Sequence, residues 1–215
     1  MSSALVLCNG EPPSPSFARS VARTVDRIVA ADGGANIARA IGLRPDIIIG
    51  DLDSMTRSTR RHFRDVLTLH VARQDNTDLE KALDYLAADR VHEVTILGAT
   101  GNRIDFTLGN FSALWTYAAF MEVRIAGEGW YALPVGRKRT VRARIGTTVS
   151  LIPCGSCDGI TLRGLEYPLT NASMRVGETG LSNVVRQSPF TVRVKRGAML
   201  LVILQDIVRK PRRRP

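Results

Sequence analysis

The sequence predicts an α/β protein: an N-terminal doubly wound parallel sheet with helices, followed by a C-terminal all-β sandwich or barrel-like domain. Two observations predict it. Residues 1–126 alternate short apolar, β-branched runs with helical patterns, as repeated βα units do. After Gly127 the helical patterns stop, and short β-like runs follow one another between Gly and Pro residues. The expected division is an α/β domain at 1–126, a β domain at 127–208 and a basic tail at 209–215. At 215 residues, 44% hydrophobic and 23% charged, the chain suits one large domain or two small ones and is long enough to bury a real core.

The elements are expected as follows. Residues 4–7 (ALVL) form a first strand, and 16–25 carry a short helical pattern. A second strand spans 27–31, with a helix over about 35–41 that Gly42 can stop. A third strand at 47–49 leads to a polar helix at 56–63 and a weaker strand at 67–71. The helix at 78–88 is the strongest: Leu79, Ala82, Leu83 and Leu86 recur at helical spacing, with Asp78 in the first turn. A fifth strand at 93–97, a helix over 106–118 and a strand at 122–126 complete the α/β part. In the β part, strands are expected at 140–141, 148–152, 159–162, 190–194 and 199–204.

Six aspartates stand where this pattern brings side chains together. Asp32, Asp51, Asp53 and Asp105 lie in segments that directly follow apolar runs; Asp75 and Asp78 follow a weaker one by a few residues. In an open parallel sheet these strand-to-helix junctions share one edge, the carboxyl ends of the strands, where ligands bind. Carboxylates that close repel one another unless a cation sits between them. A hard divalent cation with phosphate oxygens, Mg²⁺ above all, suits such a set. The cluster is acidic in a chain whose formal net charge is +10.

Four motifs carry these residues. Asp32-Gly33-Gly34-Ala35 is a strand end, two glycines and a helix start, which allows close backbone approach to a ligand or serves as a plain βα turn. In Gly50-Asp51-Leu52-Asp53-Ser54, two carboxylates one residue apart can share a metal ion, and Asp53 or Ser54 can equally cap the next helix. The same D-x-D resembles the nucleophile loop of aspartyl-phosphate phosphatases. That loop usually has Thr or Val where this chain has Met55, and it usually follows the first strand rather than the third. Gln74-Asp75-Asn76-Thr77-Asp78 opens the strongest helix, with Thr77 or Asp78 as ligand or cap. Gly98-Ala99-Thr100-Gly101-Asn102-Arg103 is a Gly-rich turn suited to phosphate, with Arg103 as counter-charge and Asp105 and Asn110 close behind. No Gly-Lys-Ser/Thr follows, so it is not a Walker A loop.

Several functions are not expected. Residues 106–121, the longest uncharged stretch, are interrupted by Gly109 and Asn110 and are too short for a membrane span. No signal peptide is visible, and a soluble, cytoplasmic protein is expected. Three cysteines do not make a disulfide framework. Cys154-Gly-Ser-Cys157 has metal or redox spacing, but no second pair and no nearby histidine completes a site, so a turn is expected. The tail with Arg209, Lys210, Arg212, Arg213 and Arg214 has no interleaved aromatic residues, and nucleic acid is not an expected partner.

Taken together, DGGAN, GDLDS, QDNTD and GATGNRID-x-x-L-x-N resemble the thiamin pyrophosphokinase (thiamin diphosphokinase) family in order and approximate spacing. Gly164-Leu165-Glu166-Tyr167-Pro168-Leu169 and Gly180-Leu181-Ser182-Asn183 continue the resemblance, which covers roughly residues 4–204. One position departs: the family often has His where this chain has Phe106. The resemblance implies transfer of the pyrophosphoryl group of ATP to thiamin, giving thiamin diphosphate and AMP. It implies Mg²⁺ on Asp51, Asp53 and Asp78, with Arg103 and Asp105 also catalytic. Asp32, Gly33, Gly34, Gln74, Asp75, Thr77, Gly98, Gly101 and Asn110 would face ATP. The β domain would bind thiamin through Tyr167, Ser182 and Asn183 and would form a homodimer with active sites between subunits. The alternatives are a Mg²⁺-dependent phosphatase with Asp51 as nucleophile, and a non-catalytic nucleotide- or nucleic-acid-binding module.

Overall fold

The structure is a computed structural model that describes residues 2–73, 75–178 and 180–205. Gln74 and the basic tail at 209–215 lie outside the described residues. The chain divides into two compact units, Met1–Gly127 and Glu128–Arg209.

The first unit runs β1 (Ser3–Leu7), α1 (Pro15–Ala22), β2 (Arg27–Ala31), α2 (Gly34–Ala40), β3 (Ile47–Gly50), α3 (Arg57–His62), β4 (Leu67–His70), α4 (Asp78–Ala88), β5 (Glu93–Leu97), α5 (Ile104–Tyr117) and β6 (Glu122–Gly127). Its strands lie in the order β6-β5-β1-β2-β3-β4, and every pairing among them is parallel. The central strand β1 buries Ala4, Leu5, Val6 and Leu7 completely, as a strand covered on both faces must. From β1 the chain winds outward through β2, β3 and β4, then returns to lay β5 on the other side of β1. The winding direction reverses between β1 and β5, and ligands bind at such a switch point. Right-handed crossovers put α1–α3 on one face and α4 and α5 on the other. The packing of α2 on α3 and of α4 on α5 agrees.

Local chemistry sets the helix starts. Ser14 accepts a hydrogen bond from the Phe17 amide, with Pro15 next in line, so α1 begins one residue before the apolar pattern suggests. Thr77 and Glu80 form a reciprocal capping box: Thr77 Oγ1 accepts from the Glu80 amide at 3.2 Å, and Glu80 Oε2 accepts from the Thr77 amide at 2.8 Å. The helix α5 begins at Ile104, two residues earlier than the hydropathy predicts, which places Asp105 in its first turn.

The second unit contains eight strands and, among the described residues, no helix. These are β7 (Trp130–Val135), β8 (Lys138–Val141), β9 (Thr148–Pro153), β10 (Cys157–Arg163), β11 (Leu169–Met174), β12 (Gly180–Val184), β13 (Phe190–Arg193) and β14 (Met199–Ile203). They form two antiparallel groups, β12-β9-β14-β7 and β11-β10-β13-β8. Alternate residues such as Val149 and Leu151 of β9 and Phe190 and Val192 of β13 are buried. Three of these strands escape the sequence pattern. Pro134 interrupts β7, and β11 and β12 are polar and half-exposed. Cys154 and Cys157 lie at the β9–β10 turn as free thiols. No helix of the described residues is long and apolar enough to cross a membrane.

Candidate active site

A cleft of about 240 Å³ opens at the carboxyl edge of the parallel sheet. Its floor is the switch point itself: Cys8, Asn9 and Gly10 follow β1, and Gly98, Ala99 and Gly101 follow β5. Backbone bonds lace these two loops together, from the Gly10 amide to the Gly98 carbonyl at 2.7 Å and from the Glu11 amide to the Thr100 carbonyl at 2.7 Å. The approach is close enough that a Cβ on Gly98 would lie 2.6 Å from the Cys8 carbonyl oxygen. Asp32, Gly33, Thr77, Asp78, Arg103 and Asn110 complete the wall, with Phe106 beside Arg103.

Three carboxylates meet at this end of the sheet, two of them, Asp32 and Asp78, in the cleft wall. Asp32, Asp51 and Asp78 each offer an oxygen, and these oxygens all lie within 4.8 Å of one another. Asp32 follows β2 and is 1% exposed. Its φ of 40° is a left-handed conformation rare for a residue with a side chain, and such strain collects at functional sites. Its Oδ2 accepts from the Ser54 amide at 3.1 Å, while its Oδ1 is buried with no hydrogen-bond partner. Burial first, then the charges of Asp78 and Asp51, push the Asp32 carboxyl above the ordinary range, against the Ser54 hydrogen bond. An orphaned carboxylate oxygen beside two further carboxylates fits a hard, oxygen-seeking divalent cation, and the site passes that test.

The GDLDS loop is held in place by α2. Asn36 Nδ2 donates to the Ser54 carbonyl at 2.9 Å, and Asn36 Oδ1 accepts from the Thr56 amide at 3.1 Å. Asn36 stands in the DGGAN motif but carries no role in the sequence reading. Lys81 escapes it too. One turn into α4, it is 5% exposed, and its Nζ donates to Asp78 Oδ1 at 2.9 Å and lies 3.6 Å from Asp51 Oδ2. Burial draws the ammonium towards neutrality, but the bond to Asp78 and the charges of Asp78 and Asp51 prevail and raise its pKa. The sequence offers part of the signal: Lys81 lies three residues after Asp78, a spacing at which side chains on a helix meet.

Other aspartates of the sequence reading stand apart from this cluster. Asp53 is exposed, and its Oδ1 accepts from Ser54 Oγ at 3.0 Å. Asp75 is exposed and paired with Arg73 at 2.7 Å. Asp105 is held by Arg103, whose Nε donates to its Oδ1 at 2.9 Å, and this bond keeps the Asp105 carboxyl down at about 2. The Arg103 guanidinium also lies 4.6 Å from the centre of the Phe106 ring. Phe106 thus supports Arg103 from below, where a histidine would add a titrating group. Cys8 lines the cleft, and burial and the charge of Asp78 push its thiol up to about 12, which favours the neutral thiol.

Asn110 secures the Gly-rich turn. It is buried, and its Nδ2 donates to the Ala99 carbonyl at 2.8 Å. Asn110→Ala leaves that carbonyl without its side-chain partner and is expected to cost about 1–3 kcal/mol. A urea midpoint unchanged from wild type would refute this anchoring role.

In the second unit, Tyr167 is 63% exposed. Asn183 is buried with its amide fully engaged: Oδ1 accepts from the Tyr167 amide at 3.0 Å and Nδ2 donates to the Tyr167 carbonyl at 2.8 Å. Asn183 therefore fixes the backbone that presents the Tyr167 ring. Ser182, at a φ of 59°, donates its amide to Ser150 Oγ at 3.2 Å and keeps its own side chain exposed.

A parallel sheet that gathers carboxylates and a glycine-rich turn at its switch point belongs to the α/β enzymes that handle phosphorylated, metal-bound ligands. Comparison with known proteins narrows this class. Residues 18–126 match the family model "Thiamin pyrophosphokinase, catalytic domain", and residues 138–199 match "Thiamin pyrophosphokinase, vitamin B1 binding domain". The chain belongs to the thiamin pyrophosphokinase family. A thiamine pyrophosphokinase of Bacillus subtilis is 29% identical over 186 residues, which are 83% of this chain and 87% of that protein. The crystal structure of a thiamin pyrophosphokinase from Geobacillus thermodenitrificans is 27% identical and covers 98% of this chain and 100% of its own, with a TM-score of 0.83. One from Candida albicans, 16% identical, covers 95% of this chain and 89% of its own, with a TM-score of 0.84, and shares the fold.

Proposed function

We propose that this protein transfers the pyrophosphoryl group of ATP to the hydroxyethyl oxygen of thiamin, giving thiamin diphosphate and AMP. The observation that carries this reading is an acidic cluster two of whose carboxylates, Asp32 and Asp78, line the same cleft as a glycine-rich turn, within a chain matched by both family models. Asp32, Asp51 and Asp78 would hold Mg²⁺, with Asp53 adjacent on the same loop, and the ion would supply positive charge against the phosphates. Arg103, oriented by Asp105 and Phe106, adds a fixed positive charge, and the turn at 98–101 lets phosphates approach the backbone. The thiamin oxygen forms a bond to the β-phosphorus, the bond from that phosphorus to the α-phosphate oxygen breaks, and AMP leaves. The hydroxyl proton passes to a carboxylate. Most of the rate enhancement is positioning and charge neutralisation.

The reading is tested by incubating the protein with ATP, Mg²⁺ and thiamin. AMP and thiamin diphosphate in equal amounts are expected; ADP with thiamin monophosphate would overturn it. Neither the phosphatase nor the non-catalytic reading has an observation in its favour. A homodimer is also proposed, to be checked by analytical ultracentrifugation. A cytoplasmic setting is proposed on the three free cysteines.

Tyr167 is proposed to stack on thiamin. Tyr167→Ala is expected to raise the KM for thiamin about fivefold or more, from roughly 1 kcal/mol of lost ring contact, and to leave the KM for ATP unchanged. Asn183→Ala is expected to act in the same direction by releasing the Tyr167 backbone. An unchanged thiamin KM in Tyr167→Ala removes the residue from the binding site.

A further inference from the structure

We propose that Lys81 is the resident counter-cation of the acidic cluster: its fixed ammonium ties Asp51 to Asp78 and sets how tightly a divalent cation is held there. This rests on the metal–nucleotide reading above. A lysine that is 5% exposed on a helix carrying Leu79, Leu83 and Leu86 is not needed to fill space, since an apolar residue would do so without desolvating a charge. Its position answers a different need. Asp32, Asp51 and Asp78 bring three negative charges within 4.8 Å, and without a cation they drive each other apart or take up protons. Lys81 reaches two of the three, at 2.9 Å from Asp78 and 3.6 Å from Asp51.

The direction of approach is informative. Asp32 and Asp78 line the cleft, whereas Asp51 and Lys81 do not, so the ammonium bonds to the cluster without itself lining the cleft. The oxygen left over is Asp32 Oδ1, buried and without a hydrogen-bond partner. The charge left over, three carboxylates against one ammonium, still favours a divalent cation. Lys81 thus keeps the cluster assembled between turnovers without satisfying it.

Two effects of Lys81 on metal affinity oppose each other. Holding Asp51 and Asp78 in place favours binding, while a fixed positive charge a few ångströms away repels the incoming cation. At such distances within protein the Coulomb repulsion exceeds the entropy of ordering two short side chains, so the repulsion prevails. Lys81 accordingly weakens the metal site, which favours release of the product with its ion.

The test is Lys81→Met, which keeps the length and removes the charge. Binding of Mn²⁺ in the presence of α,β-methylene ATP, which cannot transfer its pyrophosphoryl group, is followed by electron paramagnetic resonance. The variant is expected to bind Mn²⁺ about tenfold more tightly than wild type. Without divalent cation its Tm is expected to fall by about 5 °C or more. Mg²⁺ should restore a larger share of the Tm than wild type gains. If Lys81→Met folds only with Mg²⁺ present, the proposal stands. If it does not fold at all, Lys81→Met/Asp51→Asn decides, because it returns the cluster to its original net charge and is expected to fold. Failure of the double variant as well overturns the proposal. Mn²⁺ affinity within about twofold of wild type, with a Tm loss that Mg²⁺ leaves untouched, makes Lys81 a packing residue and overturns it too. A wild-type protein that takes up no Mn²⁺ overturns both this proposal and the metal reading beneath it.

Discussion

Asp51→Asn and Asp78→Asn are each expected to lower kcat about a thousandfold while the protein stays folded. Each replaces a carboxylate of the cluster with a neutral group of nearly the same shape, so the packing around it is preserved. Losing one charged ligand of a catalytic cation costs several kcal/mol of transition-state stabilisation, and about 4 kcal/mol corresponds to that factor. Steady-state assays of AMP release with a Mg²⁺ titration provide the check. Turnover near wild type with an unchanged Mg²⁺ requirement would remove the residue from the metal set. Asp53→Asn separates two assignments. The D-x-D spacing puts Asp53 in that set, whereas in the folded chain its carboxylate is exposed and bonded to Ser54. A loss as deep as that of Asp51→Asn means that Asp53 turns inward on the loaded site; a shallow loss leaves the cluster to Asp32, Asp51 and Asp78.

Gly34→Ala is expected to be the most damaging single methyl group that can be added to the α/β unit. Gly34 opens α2 and is buried against the end of β1. A Cβ there would stand 1.9 Å from the Leu7 carbonyl oxygen and 2.7 Å from the Leu7 carbonyl carbon. Both atoms belong to the backbone of the central strand, which cannot step aside as a side chain does. Overpacking a core costs about 1–3 kcal/mol when side chains can relax, and here the cost is expected at or above about 3 kcal/mol. Gly109→Ala is the control. It lies within α5, where a Cβ would meet nothing within 4 Å, and alanine there is expected to stabilise the helix by up to about 1 kcal/mol. Urea midpoints of the two variants should move in opposite directions. A Gly34→Ala protein as stable as wild type would falsify the close packing of α2 on β1.

The residues of the cleft were legible to different degrees. Asp32, Asp51 and Asp78 follow or open regular elements, and the rule that parallel strands share a carboxyl edge was enough to bring them together. Asp75 and Asp105 lie in equally suggestive motifs, yet each is paired with a neighbouring arginine, Arg73 or Arg103. Sequence spacing does not tell a carboxylate aimed into a cleft from one paired on its rim. Asn9 and Gly10 could have been read, since an Asn-Gly pair closes the first strand where a ligand loop belongs. In the β unit, alternation found the strands with one buried face. It missed β7, where proline breaks the pattern, and β11 and β12, whose residues are largely exposed.

By itself the sequence determined what depends on near neighbours along the chain. The βα alternation, the capping box at Thr77 and Glu80, and the change to antiparallel strands after Gly127 all follow from residues a few positions apart. The tertiary structure alone decided which side of β1 receives β5, and so which loops become the floor of the cleft. It also decided that Lys81, an ordinary helix residue by its local context, is buried between Asp51 and Asp78. Asp51 follows β3 and Lys81 sits on α4, which reaches the sheet only after β4 has been laid down. Their contact is a product of crossover handedness and strand order rather than of any local pattern. Burial and charge neutralisation act through space, and no window of sequence contains both partners.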